Sequence, residues 1–239
     1  MDIEKNKSYA VLTGDIVGST SLPSERRGEL HDIMKKGAKD LKRQFKTALP
    51  LEFDIFSGDS WQMLIVEPWH ALRIALYFRA YIQAYLVGLD TRIAIAVGSV
   101  EFLPKGRVSE GDGEAFRLSG RLLQEKNQTS RMRFAGGRRI FERRGWDAAF
   151  YLMDALIMRA WTDKRAKAML GALQGWPQEQ IATLWDPPIR QQSVTEHLQG
   201  AAWETIRAVL KEYEHCFGGT KKNASDVPDY LGQEGKQVK

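Results

Sequence analysis

The sequence predicts an α/β or α+β sheet domain followed by a string of short helices. Three observations carry that reading. Residues 9–17 and 91–103 are apolar, β-branched runs of strand character. Helical periodicity fills 24–49 and 68–86 between them. From Thr162 onward the chain changes to brief helical stretches cut by Gly and Pro.

In chain order, 9–17 reads as a buried strand ended by Gly18. Across 24–49 apolar side chains recur at Leu30, Ile33, Met34, Ala38, Leu41 and Phe45, with Arg27, Lys35, Lys39, Lys42 and Lys46 on the other face. Two strand-like runs, 51–56 and 60–66, flank Ser57-Gly58-Asp59, which reads as a hairpin turn. A second amphipathic helix is expected over 68–86, Pro68 suiting its first turn. After the strand at 91–103 come a glycine-rich charged loop (104–113), a helix (114–126) and a short last strand (132–135). Residues 1–147 are therefore expected to form the sheet domain. The stretch 148–161 is apolar on nearly every side and reads as a buried connecting helix or a dimer element. Over 162–217 helices are expected at 164–174, 178–185, 191–199 and 201–214, with breaks at Gly175-Trp176-Pro177 and Asp186-Pro187-Pro188. The polar, aperiodic segment 218–239 is expected to be disordered.

Composition narrows the function classes. The chain has 239 residues, 43% hydrophobic and 27% charged, which suits a globular protein with a full core. No stretch approaches the ~18 apolar residues of a membrane span, and the polar N-terminus lacks the apolar core of a secretory signal. A single cysteine, Cys216, excludes a disulfide framework and fits a cytoplasmic location. His31, His70, His197 and His215 are scattered without zinc-ligand spacing, and the tryptophans read as core residues. The net charge of +5 leans toward anionic partners. Arg131, Arg133, Arg138, Arg139, Arg143 and Arg144 concentrate positive charge, while 161–217 is close to neutral.

Asp15 ends the first strand and Asp59 sits in the hairpin turn. Carboxylates from neighbouring strand ends can share Mg²⁺ or Mn²⁺, which in turn bridges phosphate oxygens. Backbone N–H groups around Gly18, Ser19 and Thr20, ahead of a helix, suit a triphosphate. Either aspartate alone reads as a turn residue; together, in this order, they point to nucleotide chemistry.

The blocks 9–22, 53–64 and 92–123 resemble the three signature blocks of class III nucleotidyl cyclases. Thr13-Gly14-Asp15-Ile16-Val17, Ser57-Gly58-Asp59, Asp112-Gly113-Glu114-Ala115-Phe116 and the run from Met153-Asp154-Ala155 to Arg159-Ala160-Trp161-Thr162 look closest to the SatD-like family, a cyclase-type domain joined to a helix-turn-helix. The resemblance implies an α+β fold: a ferredoxin-like, cyclase-type antiparallel sheet with helices on one face, plus a small all-α helix-turn-helix domain. It implies metal binding by Asp15 and Asp59, base contact by Glu114, catalytic roles for Arg117 and Arg121, and a homodimer with its site between chains. Arg117 stands where that family has an asparagine, and Asp54 or Ile55 where adenine-reading members have a lysine. Those departures favour triphosphate binding over efficient cyclisation, in which a ribose 3′-hydroxyl would attack the α-phosphorus and release pyrophosphate.

Residues 178–182 and 191–198 resemble the two helices of a helix-turn-helix, with Ile181, Leu184, Val194 and Leu198 inward and Trp203 and Ile206 sealing the next helix. Gln191, Gln192, Thr195, Glu196 and Gln199 are then candidates for base edges of DNA, and Arg190 and the arginines of 138–144 for phosphates. The expectation is a nucleotide-responsive regulator, dimeric and cytoplasmic, in which the cyclase-like part controls DNA binding. The alternative is an active nucleotidyl cyclase.

Overall fold

Strand β1 (Tyr9–Val17) forms the middle of the sheet, because its apolar residues alternate between two faces that are both covered. In the computed structural model, residues 3–4, 6–56, 58–104, 107–125, 129–136 and 140–218 are described. Ser57, the side chains of Arg138, Arg139, Arg143 and Arg144, and the expected disordered segment from 219 on lie outside the described residues. Strands β2 (Asp54–Phe56) and β3 (Ser60–Ile65) form the hairpin, and β3 pairs antiparallel with β1. On its other side β1 pairs antiparallel with β4 (Asp90–Gly98), which carries β5 (Met132–Ala135) as a parallel neighbour. The order is β2-β3-β1-β4-β5.

Helices α1 (Ser24–Gln44) and α2 (Ala71–Tyr85) bury Leu30, Met34, Leu72 and Ile74 against the sheet face that carries Ala10, Leu12, Ile93 and Ile95. Helix α3 (Glu114–Gln124) joins β4 to β5 and packs on the opposite face, Ala115 and Phe116 against Tyr9 and Val11, and Leu122 against Ala94 and Ala96. The expected antiparallel sheet with helices on one face is thus corrected. A parallel neighbour such as β5 requires a crossover, and α1 and α2 already fill the other face. Buried polar contacts pin α3 there: Ser119 Oγ lies 2.8 Å from Thr13 Oγ1, which also accepts from Gln62 Nε2 at 2.8 Å.

Sequence periodicity predicts an amphipathic helix over 68–86, yet every residue from Ile74 to Ile82 is buried. The sheet lies beneath it, and α1 and α5 (Asp163–Leu173) cover its outer sides. Its one arginine in that stretch, Arg79, is 0% exposed. Helix α4 (Ile140–Ala160) starts earlier than the apolar stretch suggested and is buried on one side only, through Phe150, Met153 and Ile157. Tyr151, Leu152 and Met158 face out, Leu152 being 75% exposed.

Helices α6 (Gln178–Ala182), α7 (Gln191–Gly200) and α8 (Trp203–Phe217) complete the chain. The expected separate all-α domain is not set apart. One apolar cluster runs from Leu12 under α2 through Met169, Ile181 and Val194 to Leu210. Helix α6 is also short, and residues 183–190, with a cis Asp186–Pro187 bond, separate it from α7. A helix-turn-helix uses a turn of only about 3–4 residues.

Candidate functional site

The C-terminal end of β1, the N-terminal ends of β3, β4 and β5, and the hairpin turn all lie at one end of the sheet. Gly14 makes the local geometry possible. A Cβ there would stand 2.3 Å from Trp61 Cζ2 and 2.5 Å from the Arg92 carbonyl oxygen, so only glycine lets the indole lie against β1. Trp61 Nε1 donates to Thr91 Oγ1 (3.1 Å), and that hydroxyl donates to the backbone oxygen of Asp15 (2.7 Å). The backbone of Asp15 is therefore anchored by Thr91 of β4, whose hydroxyl Trp61 of β3 holds in turn.

Its side chain is held as well. Asp15 and Arg92 are direct cross-strand partners, and Arg92 donates from Nε (2.8 Å) and Nη2 (2.5 Å) to the two carboxylate oxygens. The hydrogen bonds to Asp15, followed by the charges of Asp15 and Asp59, raise the Arg92 pKa above its ordinary value against the cost of burial. Asp59 accepts a hydrogen bond from Ser19 Oγ. Both aspartates thus lie close to one guanidinium.

A cleft of about 500 Å³ opens here, lined by Ile16, Val17, Gly18, Ser19, Thr20, Asp59, Arg92, Thr129, Ser130, Arg131 and Met158. Gly18 takes φ +83°, turning the chain out of β1 into the 19–21 turn, where Ser21 Oγ donates to the Gly18 oxygen (2.7 Å). The structure thus brings Gly18, Ser19, Thr20 and Asp59 together; Asp15 stands behind Arg92, which is the member of that pair lining the cleft. Arg92 occupies the carboxylate that was expected to serve a divalent cation. Both oxygens of Asp15 are taken by a cation of the chain itself, and among the described residues no three acidic, His or Cys side chains gather to hold a metal.

Glu114, Arg117 and Arg121 lie elsewhere within the chain. Helix α3 begins beside Gly98, at the far end of β4 from Arg92, and Glu114 accepts from the Ser99 amide (3.4 Å) there. Arg117 is exposed and pairs with Glu101 (2.7 Å) and Asp112 (2.9 Å). Arg121 borders a shallow groove with Arg117, Gly120 and Gln124 and makes no ion pair among the described residues. This groove shares no lining residue with the cleft. Arg190, just before α7, and Gln191, Gln192, Glu196 and Gln199 on it are exposed, while Val194 and Leu198 are buried. Thr195 instead turns toward α6, its hydroxyl donating to Gln178 Oε1 at 2.8 Å.

Sequence reasoning missed Arg92 and the charges behind it, and noted Arg131 only as one of a run of arginines, not as part of this cleft. Arg131 reaches Asp90 Oδ2 (2.7 Å); Asp90 takes Arg79 Nε (2.9 Å) and Nη2 (2.8 Å); Arg79 Nη1 reaches Asp154 (2.5 Å); and Asp154 accepts from Ser130 Oγ (2.9 Å) and the Arg131 amide (2.6 Å). The wall of the cleft at 130–131 is thereby tied to α2 and α4. The available signal was an acid, Asp90, two residues before an arginine at the start of a strand.

No protein-family model matches the chain, and a search of curated proteins gives no match. Among solved structures the chain is similar to the guanylyl cyclase Cya2 at 18% identity, over 52% of this chain and 72% of that one, with a TM-score of 0.40. A bacterial light-regulated adenylyl cyclase matches at 18% identity over 54% and 75%, with a TM-score of 0.41. The adenylyl cyclase CyaB from P. aeruginosa matches at 18% over 51% and 73%, with a TM-score of 0.36. No helix among the described residues is long and apolar enough to cross a membrane.

Proposed function

We propose that the protein is a nucleotide-responsive regulator whose cleft binds the polyphosphate of a nucleoside triphosphate in the cytoplasm. The observation that supports this is the gathering of Arg92 and Arg131 with the Gly18–Thr20 turn and the hydroxyls of Thr129 and Ser130 in one cleft of about 500 Å³. That volume falls within the range of about 300–1,000 Å³ usual for small-molecule sites. Guanidinium groups match phosphate oxygens with paired donors, and the exposed Thr129 hydroxyl supplies a further hydrogen bond. Arg92 is the main phosphate contact and Arg131 the second. Asp15 and Asp59 hold the cationic side of the cleft in place rather than carrying Mg²⁺ or Mn²⁺. Titration calorimetry with ATP and GTP, run with EDTA and again with Mg²⁺, is expected to give saturable binding in both media. Absence of binding in either medium overturns the reading.

Turnover is the alternative. Bidentate capture of Asp15 by Arg92 and the two ion pairs of Arg117 weigh against it. In a homodimer, Arg121 of one chain would have to reach the cleft of the other. Mass spectrometry after incubation with each nucleoside triphosphate and Mg²⁺ or Mn²⁺ is expected to show no cyclic product; a cyclic product lost on Asp59→Ala would favour the cyclase.

The exposed polar row formed by Arg190, just before α7, and Gln191, Gln192, Glu196 and Gln199 on it favours DNA as a second partner. With one cation in that row, binding is expected to be weak and to vanish on raising salt from about 50 to about 200 mM. Fluorescence anisotropy with labelled duplex, with and without ATP, measures it; no affinity at the lower salt removes DNA from the account.

A further inference from the structure

A second cleft, of about 750 Å³, lies on the other side of α2, between the ends of α1 and α2 and helices α5 to α8. Its walls are aromatic: Phe45, Trp176 and Trp203, with the His70 ring tilted 56° against Phe45 at 5.4 Å between centroids. Burial lowers the His70 pKa, Glu67 and Glu214 opposing, so the ring contributes an uncharged face at neutral pH. Three cations and two acids border the space. Arg73 is taken by Glu214 (2.7 Å) and the Leu173 oxygen (3.0 Å), and Arg207 by Glu204 (2.5 Å). Lys211, half-buried on α8, has no ion-pair partner among the described residues.

We propose that this cleft is a binding site for a small planar aromatic carboxylate, distinct from the polyphosphate cleft. The ring lies among Phe45, Trp176 and Trp203, and the carboxylate accepts from the Lys211 ammonium. Flat aromatic walls favour a planar ring over a saturated one, since stacked rings gain beyond area burial alone. The unmatched positive charge selects an anion, because a neutral or cationic head group leaves Lys211 unpaired in a half-desolvated position. Occupancy braces α7 and α8 against the ends of α1 and α2, because Leu198, Trp203 and Lys211 line the same space.

The test uses the full chain and benzoate, with benzamide, benzamidine and cyclohexanecarboxylate as comparison probes. NMR titration follows the indole Nε1–H signals of Trp176 and Trp203, assigned through Trp→Phe variants. Benzoate is expected to shift both saturably, with each comparison probe at least about ten-fold weaker. Lys211→Met is expected to weaken benzoate about ten-fold, the equivalent of about 1.4 kcal/mol, with thermal unfolding of the free protein unchanged. The proposal is overturned if benzoate causes no saturable shift, if benzamide or cyclohexanecarboxylate binds as tightly, or if Lys211→Met leaves benzoate affinity intact. A separate ATP titration stands independently, since the two clefts share no lining residue.

Discussion

Replacing Arg79 by alanine is expected to lower the free energy of unfolding by about 3–5 kcal/mol, the range seen when one partner of a buried ion pair is removed. The guanidinium is fully enclosed and uses three nitrogens on two carboxylates, Asp90 and Asp154. Without it Asp154 keeps only neutral donors, Ser130 Oγ and the Arg131 amide, and Asp90 keeps Arg131 alone among its arginines. In the intact protein burial would raise the Asp90 pKa, but the Arg79 charge and the hydrogen bonds from Arg79, Gln83 and Arg131 outweigh it and leave it below the usual value. A depressed carboxylate stabilises the fold above its unfolded pKa of about 3.9, and that contribution is lost as pH falls through the lower folded value. In Arg79→Ala the buried Asp154 carboxylate is left without a cation, and that uncompensated charge carries much of the loss. Urea unfolding at pH 7 measures it. Arg79→Met with Asp154→Asn is expected to recover part of the loss, and a deficit under about 1 kcal/mol for Arg79→Ala rules the argument out.

That network marks where sequence reading stopped. Strand β1, the hairpin, both helices of the Leu12 face and the turn after Gly18 were legible, because period-2 and period-3.6 patterns and a glycine are local signals. So was the neighbourhood of Asp59 with Gly18, Ser19 and Thr20, which follows from strand order. Arg79 was not, since its partners lie 11 and 75 residues away and an arginine in a helix reads by default as solvent-facing. The side taken by α3 was also hidden: it depends on β5 running parallel to β4, a tertiary outcome of a four-residue strand. Helix α6 came out shorter than expected because 183–185 form a turn after Ala182 instead of a further helical turn. The pairing of Asp15 with Arg92 was hidden for a related reason. Cross-strand register, not spacing along the chain, sets Arg92 opposite it.

Asp15→Asn is expected to tighten ATP binding in EDTA by about ten-fold, the opposite of what a metal-ligating aspartate predicts. The carboxylate holds Arg92 by two charge-assisted hydrogen bonds, 2.8 and 2.5 Å long. Hydrogen bonds to charged groups contribute about 1.5–3 kcal/mol, reduced here because the Arg92 side chain is 43% exposed and water competes for it. An asparagine keeps the volume but loses the charge, and its amide offers one acceptor where the guanidinium needs two. Arg92 is then released toward the cleft it already lines, and the end of the sheet gains one unit of positive charge. About 1.4 kcal/mol of that released interaction, transferred to a phosphate, is a ten-fold gain in affinity. Arg92→Ala removes the acceptor's main contact and is expected to weaken ATP by at least as much. Calorimetry on the three proteins, with thermal unfolding as the check on folding, separates the models by sign. If Asp15→Asn loses affinity, and loses more of it in Mg²⁺ than in EDTA, the aspartate serves a divalent cation and Arg92 is only its resting partner. If affinity rises while Arg92→Ala falls, the arginine is the cation that the polyphosphate meets.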